Sequence, residues 1–575
     1  MDEKRYPKPE RRYVSENWVP NTWKDIQPLY KEIEARTLNT GGDLESWLLD
    51  LSEVDSIIGG VSSRRYFAST CDTSDEEAEK DHLEYQMKVL PEVAKVGDRL
   101  NKKYLASPVR PEMDAEYWLV HDRDAERAVE LFREENVELD AKDEELSVEY
   151  GRISGSTTVE FGGKTCTLQE MSTHLESTDR DLREQAWRLV SNRRLEDRSK
   201  LDELYDKMIA LRARMASNAD FKNYRDFKHA AKHRFDYSAQ DCLALHENVS
   251  RYVMPVLARM QQRRIRLLGL SVLRPWDLAV DPEGLPPFQP FTTQDEQVIV
   301  SEKILGEVDQ QVATDLRWMH QRKLLDLDTR PSKRPGGYMD VFGDVRWPVI
   351  FSNSSPTHAG IETLIHEAGH ARHSLLSREL EPGDYREAPL EFAEVASMGM
   401  EAMCMEHLDA AYPQKEARRA AINSLEGMLS SLAWTCTVDA FQHEVYLNPS
   451  RSHSERTVCW EETWERFSSG AVDWSGLEEA RATRWHAQHH IFEVPFYYIE
   501  YALAQMGAMQ LWSNYRKDAG QTVLDYNKGL ALGGSRPLPE LYSEAGLHFD
   551  PRGEGLGALV QEVEEAWTRL TGEEA

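Results

Sequence analysis

Residues 361–374 read IETLIHEAGHARHS. On an α-helix, residues four apart lie one above the other, so His366 and His370 can aim two imidazole nitrogens at one point. Zinc accepts such nitrogens at about 2.0–2.1 Å. Glu367 sits beside that face, badly placed to join as a ligand and well placed to take a proton from a water on the metal. Glu362, one turn before His366, is placed to hold a ligating ring or its neighbour from behind. His373 extends the histidine stripe by three residues. It reads as a hydrogen-bonded core histidine rather than a ligand, because buried polar groups normally find partners.

A catalytic zinc site needs a third protein ligand and one position left open. The segment EAPLEFAEVASMGMEAMCMEHL, starting at Glu387, offers Glu387, Glu391, Glu394 and Glu401 near one helical face. Spacing alone leaves the ligand undecided among the four. The acids alternate with Ala393, Val395, Ala396, Met398 and Met400, too apolar a setting for merely solvated carboxylates. Downstream, RWHAQHHIFEVPFYYIEYALAQMG gathers His486, His489, His490, Tyr497, Tyr498 and Tyr501. Two readings stand side by side: neutral donors for the oxyanion of an acyl-transfer reaction, or an aromatic core segment.

Most of the chain that must position these groups carries apolar residues at three and four spacings, as in LESWLLDLSEVDSIIGGVSSRRYF, and is expected to be helical. Gly59 and Gly60 interrupt that helix for no reason visible in the sequence. Three stretches break the pattern. VEYGRISGSTTVEFGGKTCTL, 148–168, switches to period two and predicts a small hairpin. LRPWDLAVDPEGLPPFQPFT, 273–292, predicts an extended connector. The run Val345–Phe351 predicts a short strand just before the histidine helix. Pro348 inside it cannot donate to a ladder, which argues for an edge position that an extended peptide could pair with. The acidic run TSDEEAEKD, 73–81, reads as the surface of a helix N-terminus.

At 575 residues the chain exceeds what one core supports, so more than one lobe is expected. Acids outnumber bases 100 to 69, a formal charge of −31, which disfavours nucleic acid or an anionic membrane as partner. The six cysteines form no C-x-x-C pair, which argues against a disulfide framework and against a thiolate zinc site. The charged start MDEKRYPKPERRY lacks the apolar core of a signal peptide, and no 18-residue apolar window occurs, so a cytoplasmic location is expected.

HEAGHARH together with FAEVASMGME resembles the thimet oligopeptidase and oligoendopeptidase F family of zinc metallopeptidases, peptidase family M3. That family's pattern has a glutamate followed by serine three on and glutamate seven on; here these positions are Glu394, Ser397 and Glu401. The resemblance implies Glu394 as third ligand of one Zn2+, beside His366 and His370, with Glu367 as base. RRYVSENWVPNTWKDIQPLY resembles the amino-terminal helices of the oligoendopeptidase F branch, and HIFEVPFYYIEYALAQ its substrate-facing segment. By that likeness His490 and Tyr501, with Tyr497 or Tyr498, are the transition-state donors. The resemblance further implies a mostly α, two-lobed fold with a deep central channel and a small β element beside the H-E-x-x-H helix. It implies an N-terminal helical region, 1–185, and a catalytic region, 186–575. The activity implied is endopeptidase cleavage of short unstructured peptides. Rival readings are a carboxypeptidase or peptidyl-dipeptidase, with Arg484 as the cation for the substrate carboxylate, and a non-catalytic, metal-stabilised peptide-binding protein. No oligomeric state is implied.

Overall fold

Amphipathic stripes at helical period need partners to bury against, and they find them along nearly the whole chain. The computed structural model describes residues 5–155, 157–330, 332–334 and 336–573. Among these, 23 α-helices and five short strands form, the mostly α class expected. No described helix is long and apolar enough to cross a membrane. Asp75 caps the helix Glu76–Lys88 by accepting from the backbone of Glu77 and Ala78, so the acidic run is indeed a helix start.

The chain divides into two compact units. One comprises Met1–Val137, Pro290–Ala417 and Gly507–Phe549; the other comprises Glu138–Gln289, Arg418–Met506 and Asp550–Ala575. The second unit contains the hairpin, β1 (Thr158–Phe161) and β2 (Lys164–Thr167), turning at Gly162 and Gly163, which both have positive φ. It starts later than the period-two pattern indicates, because a helix, Glu134–Gly155, runs through residues 148–155. Tyr150 explains the difference: its ring stacks on Phe492 with centroids 4.3 Å apart, and its hydroxyl donates to the carbonyl of His486 at 2.9 Å. Tertiary packing overrides the local alternation. The proline-rich stretch holds only the short 3-10 turn Pro275–Asp277, where the fully buried Asp277 pairs with Arg180 at 2.7 Å and Arg183 at 2.9 Å.

The first unit contains a three-stranded sheet in the order β3 (Leu325–Asp328), β5 (Trp347–Ser354), β4 (Gly337–Phe342). The strand carrying Pro348 is therefore central, not an edge. β5 pairs antiparallel with β4 along its length and parallel with β3 only from Ile350 onward, where the Ile350 N–H donates to the carbonyl of Leu324 at 2.8 Å. Residues 348 and 350 present their nitrogens to the same side, so the N–H that Pro348 lacks would point past the start of β3. A central strand tolerates proline here because its neighbour has not yet begun.

Gly60 is explained by the same sheet. It lies in the helix Gly41–Cys71, and a Cβ there would sit 2.7 Å from Asp344 Oδ1 and 2.9 Å from Gly343 N, in the turn between β4 and β5. The helix and the turn approach so closely that only glycine fits. Gly59 faces open space, and nothing in the structure explains it.

Candidate metal centre and tyrosine segment

β5 is buried through Val349, Ile350 and Phe351, and delivers the chain directly into the histidine helix, His358–Ser377. Thr357 occupies the N-cap in extended conformation, without a side-chain cap bond. Ile361, Leu364 and Ile365 are buried and anchor the first turns, leaving the histidine face free to meet the helix Leu390–Cys404. Gly369 sets that meeting. A Cβ at Gly369 would lie 2.5 Å from the carbonyl oxygen of Ala396 and 2.7 Å from Cα of Ser397, so the glycine lets the two backbones touch.

With the helices this close, Glu394 faces both rings: its Oε2 stands 3.5 Å from Nε2 of His366 and 3.5 Å from Nε2 of His370. One donor atom from each of His366, His370 and Glu394 lies within 4.8 Å of the others. Glu387 and Glu391 are absent from this group, which separates Glu394 from the alternatives left open by spacing. Ser397 Oγ donates to Glu394 Oε2 at 3.0 Å and orients the carboxylate. Glu401 Oε1 lies 2.5 Å from Nδ1 of His366, the contact that directs the other ring nitrogen toward a metal. Glu362 takes a different partner, with Oε1 3.2 Å from Nε2 of His358.

The electrostatics follow the geometry. Burial pushes the Glu394 carboxyl up, but the adjacent His370 and His366 outweigh it and hold the group well below the usual carboxylate range. Burial raises the Glu367 carboxyl, with the two histidines opposing and Glu394 and Glu401 assisting. Glu367 is 5 % exposed and its Oε2 has no hydrogen-bond partner. The His366 and His370 side chains keep 23 % and 15 % of their surface. The donor set fits zinc: two imidazole nitrogens and one carboxylate oxygen, open on one side, with an orphaned buried carboxylate oxygen adjoining.

His373 is 5 % exposed and packs edge-on against Phe392, as a core residue. Its Nε2 lacks the hydrogen-bond partner expected of a core histidine. Behind the helix lies a network the sequence does not announce. Arg372 Nη1 donates to Asp315 Oδ2 at 3.1 Å, while Arg5 Nε and the Tyr6 hydroxyl donate to Asp315 Oδ1 at 3.0 and 2.8 Å. Arg372 falls two residues past His370, hence on another face, which is the only local signal; its partners are remote in sequence.

In the second unit, His490 makes a ring cluster with Tyr498 (centroids 4.7 Å), Tyr497 (5.7 Å) and Tyr501 (5.9 Å), all four partly exposed. Trp434 Nε1 donates to Gln488 Oε1 at 2.9 Å, which turns the Gln488 amide nitrogen toward His490 Nδ1 at 2.7 Å. Nδ1 therefore accepts, and a neutral ring carries its proton on Nε2. His486 is a core residue, buried against Asp202 with Nε2 3.0 Å from Oδ1. His489 is exposed and stacks on His490. The Arg484 guanidinium lies over the rings of Trp434 and Trp464, at 5.6 and 5.5 Å from their centroids.

Residues 173–558 match the model of peptidase family M3, and residues 18–132 match the peptidase M3 N-terminal domain. The chain belongs to peptidase family M3. Among curated proteins it is similar to the group B oligopeptidase PepB of Streptococcus agalactiae, 23% identical over 48% of this chain, and to the oligopeptidase PepF of Bacillus subtilis, 24% identical over 51% of it. The matched segments span 44% of the length of each relative. Solved structures resemble it over nearly the whole chain. PZ peptidase A with an inhibitor has a TM-score of 0.90 at 26% identity, covering 97% of this chain and 99% of that one. An oligoendopeptidase F so described as putative has 0.88 at 26%, covering 98% of each. The likeness places the M3 chain with the oligoendopeptidase F branch.

Proposed function

We propose that this M3 protein is a zinc-dependent oligoendopeptidase acting on short, unstructured peptides in the cytoplasm. The observation that carries the reading is the buried, unpartnered Oε2 of Glu367 beside three donor atoms within 4.8 Å of one another. His366, His370 and Glu394 hold one Zn2+. When bound, the ion supplies a Lewis acid that acidifies water and polarises a peptide carbonyl. Glu367 takes a proton from the attacking water on one carboxylate oxygen and gives it to the departing amine nitrogen. Glu401 keeps Nδ1 of His366 occupied, and Ser397 fixes which Glu394 oxygen faces the rings. His490, with its donor on Nε2, and the hydroxyls of Tyr497, Tyr498 and Tyr501 steady the oxyanion; the family likeness and their shared cluster support that role.

Internally quenched peptides with acetylated amino and amidated carboxy ends test the endopeptidase reading. Cleavage of blocked peptides, abolished by chelation and restored by zinc, is the expected result. Cleavage only of peptides with a free terminal carboxylate would replace it with a carboxypeptidase. Arg484, the cation that rival needs, spends its flat face on two tryptophans.

A further inference from the structure

The second unit holds another convergence of metal-binding groups, built from three helices. His229 comes from Tyr224–Ala231, Cys242 from Ala239–Leu268, and His443 from Gln414–Leu447. One donor atom of each lies within 4.8 Å of the others, and all three residues are buried. Behind His443 stands the fully buried Asp439, whose Oδ2 is 3.1 Å from His443 Nε2 and 3.0 Å from His246 Nε2. The His246 contact is a hydrogen bond, whereas the His443 contact is an ion-pair distance without one.

The polar atoms of this pocket are not satisfied by one another. Nδ1 of His229 and His246, both ring nitrogens of His443, and Oδ1 of Asp439 are buried without hydrogen-bond partners. Native interiors leave few such atoms unpaired, so several together mark a place built to take a polar or ionic partner. Arg234 Nη1 donates to His229 Nε2 at 3.0 Å, which leaves Nδ1 as the atom available to the cluster.

We propose that His229, Cys242 and His443 form a second metal site that takes a thiophilic d10 cation, Zn2+ in the first instance. Thiolate with two imidazoles in a buried setting is a donor set that zinc accepts and that magnesium or calcium does not. Loading releases the Cys242 thiol proton and moves the His229 proton from Nδ1 to Nε2, in exchange for the Arg234 contact. Arg234 retains its bonds from Nη2 to the Phe496 carbonyl and to Glu500 Oε1. What the ion would do there is structural. Phe496 has φ 63°, a costly conformation for a bulky residue, and its ring lies against those of His229 and His443 at 5.6 and 5.5 Å. Tyr497 follows immediately. An ion here fixes the turn that presents the tyrosine segment.

The test needs no assay of activity. Wild-type protein dialysed against Zn2+ is analysed for bound metal and by zinc-edge X-ray absorption; two ions per chain and a sulfur shell at about 2.3 Å are expected. After replacement by Co2+, a thiolate-to-cobalt charge-transfer band is expected in wild type and in Glu394→Gln, and its loss in Cys242→Ser. One ion per chain with only nitrogen and oxygen neighbours overturns the proposal, as does a thiolate band that persists in Cys242→Ser. If Cys242→Ser does not fold, the wild-type absorption measurement still decides.

Discussion

Two histidine-rich places in this chain look alike in composition and differ in what surrounds them. In the first unit, His366 and His370 keep 23 % and 15 % of their side-chain surface, and the neighbouring Glu367 is a buried acid with an unpartnered oxygen. In the second unit, His229, Cys242 and His443 are 7 %, 1 % and 2 % exposed, and the neighbouring Asp439 sets Oδ2 against two rings while its Oδ1 is also buried without a partner. A ligand set that keeps exposed surface beside a base can admit a substrate and turn over; a fully buried one is equipped to hold an ion. Ligand identity alone does not separate the two. Access does.

The sharpest way to break that contrast is Glu367→Gln. The amide keeps the shape and removes the proton acceptor, so turnover of a quenched peptide should fall by about 10²–10⁴-fold, while zinc content and melting temperature stay near wild type. Near-normal turnover would remove the feature that makes the first site catalytic. A smaller effect is expected at Glu401→Gln. Glu401 touches the metal only through His366, so competition with a chelator should show zinc held about 10–100-fold more weakly. The variant regains activity when zinc is added in excess, whereas Glu367→Gln does not.

How much of this was legible follows from how local each feature is. His366, Glu367 and His370 are packed into five residues, and helical geometry alone announces them. Glu394 needed the family pattern, because Glu387, Glu391 and Glu401 share its spacing and only the close approach at Gly369 selects it. The buried cluster was invisible. Its residues come from three helices, and the spacing argument against a thiolate site inspects only near neighbours such as C-x-x-C. The same limit misplaced β5: Pro348 says an N–H is missing, but where the adjacent strand begins is a tertiary fact. Gly59 and Gly60 show it within one helix, and their alanine variants sharpen the point. Gly60→Ala, meeting Asp344 and Gly343, should destabilise by about 1–3 kcal/mol. Gly59→Ala, facing open space, should stabilise by about 0.5–1 kcal/mol through helix propensity. Equal effects in denaturant titrations would remove the explanation from packing.

Each region also carries a histidine that folding keeps neutral, which links the comparison to pH. Burial, with the charge of His370, lowers His373 from 6.5 to about 3. Burial, with Arg234, lowers His229 from 6.5 to about 2. In the unfolded chain both rings take a proton below about pH 6.5. Between that value and the folded one, the unfolded state binds more protons. Stability is therefore full above pH 6.5 and declines as the pH falls, by about 1.4 kcal/mol per pH unit for each such ring. His373→Leu keeps an apolar body against Phe392 and has nothing to protonate. Its unfolding free energy, measured between pH 6.5 and pH 4, should show a slope lower than wild type by one proton, with His229 still contributing its own. An unchanged slope would mean that His373 finds a partner for its proton in the folded state, and the resemblance between the two buried rings would end there.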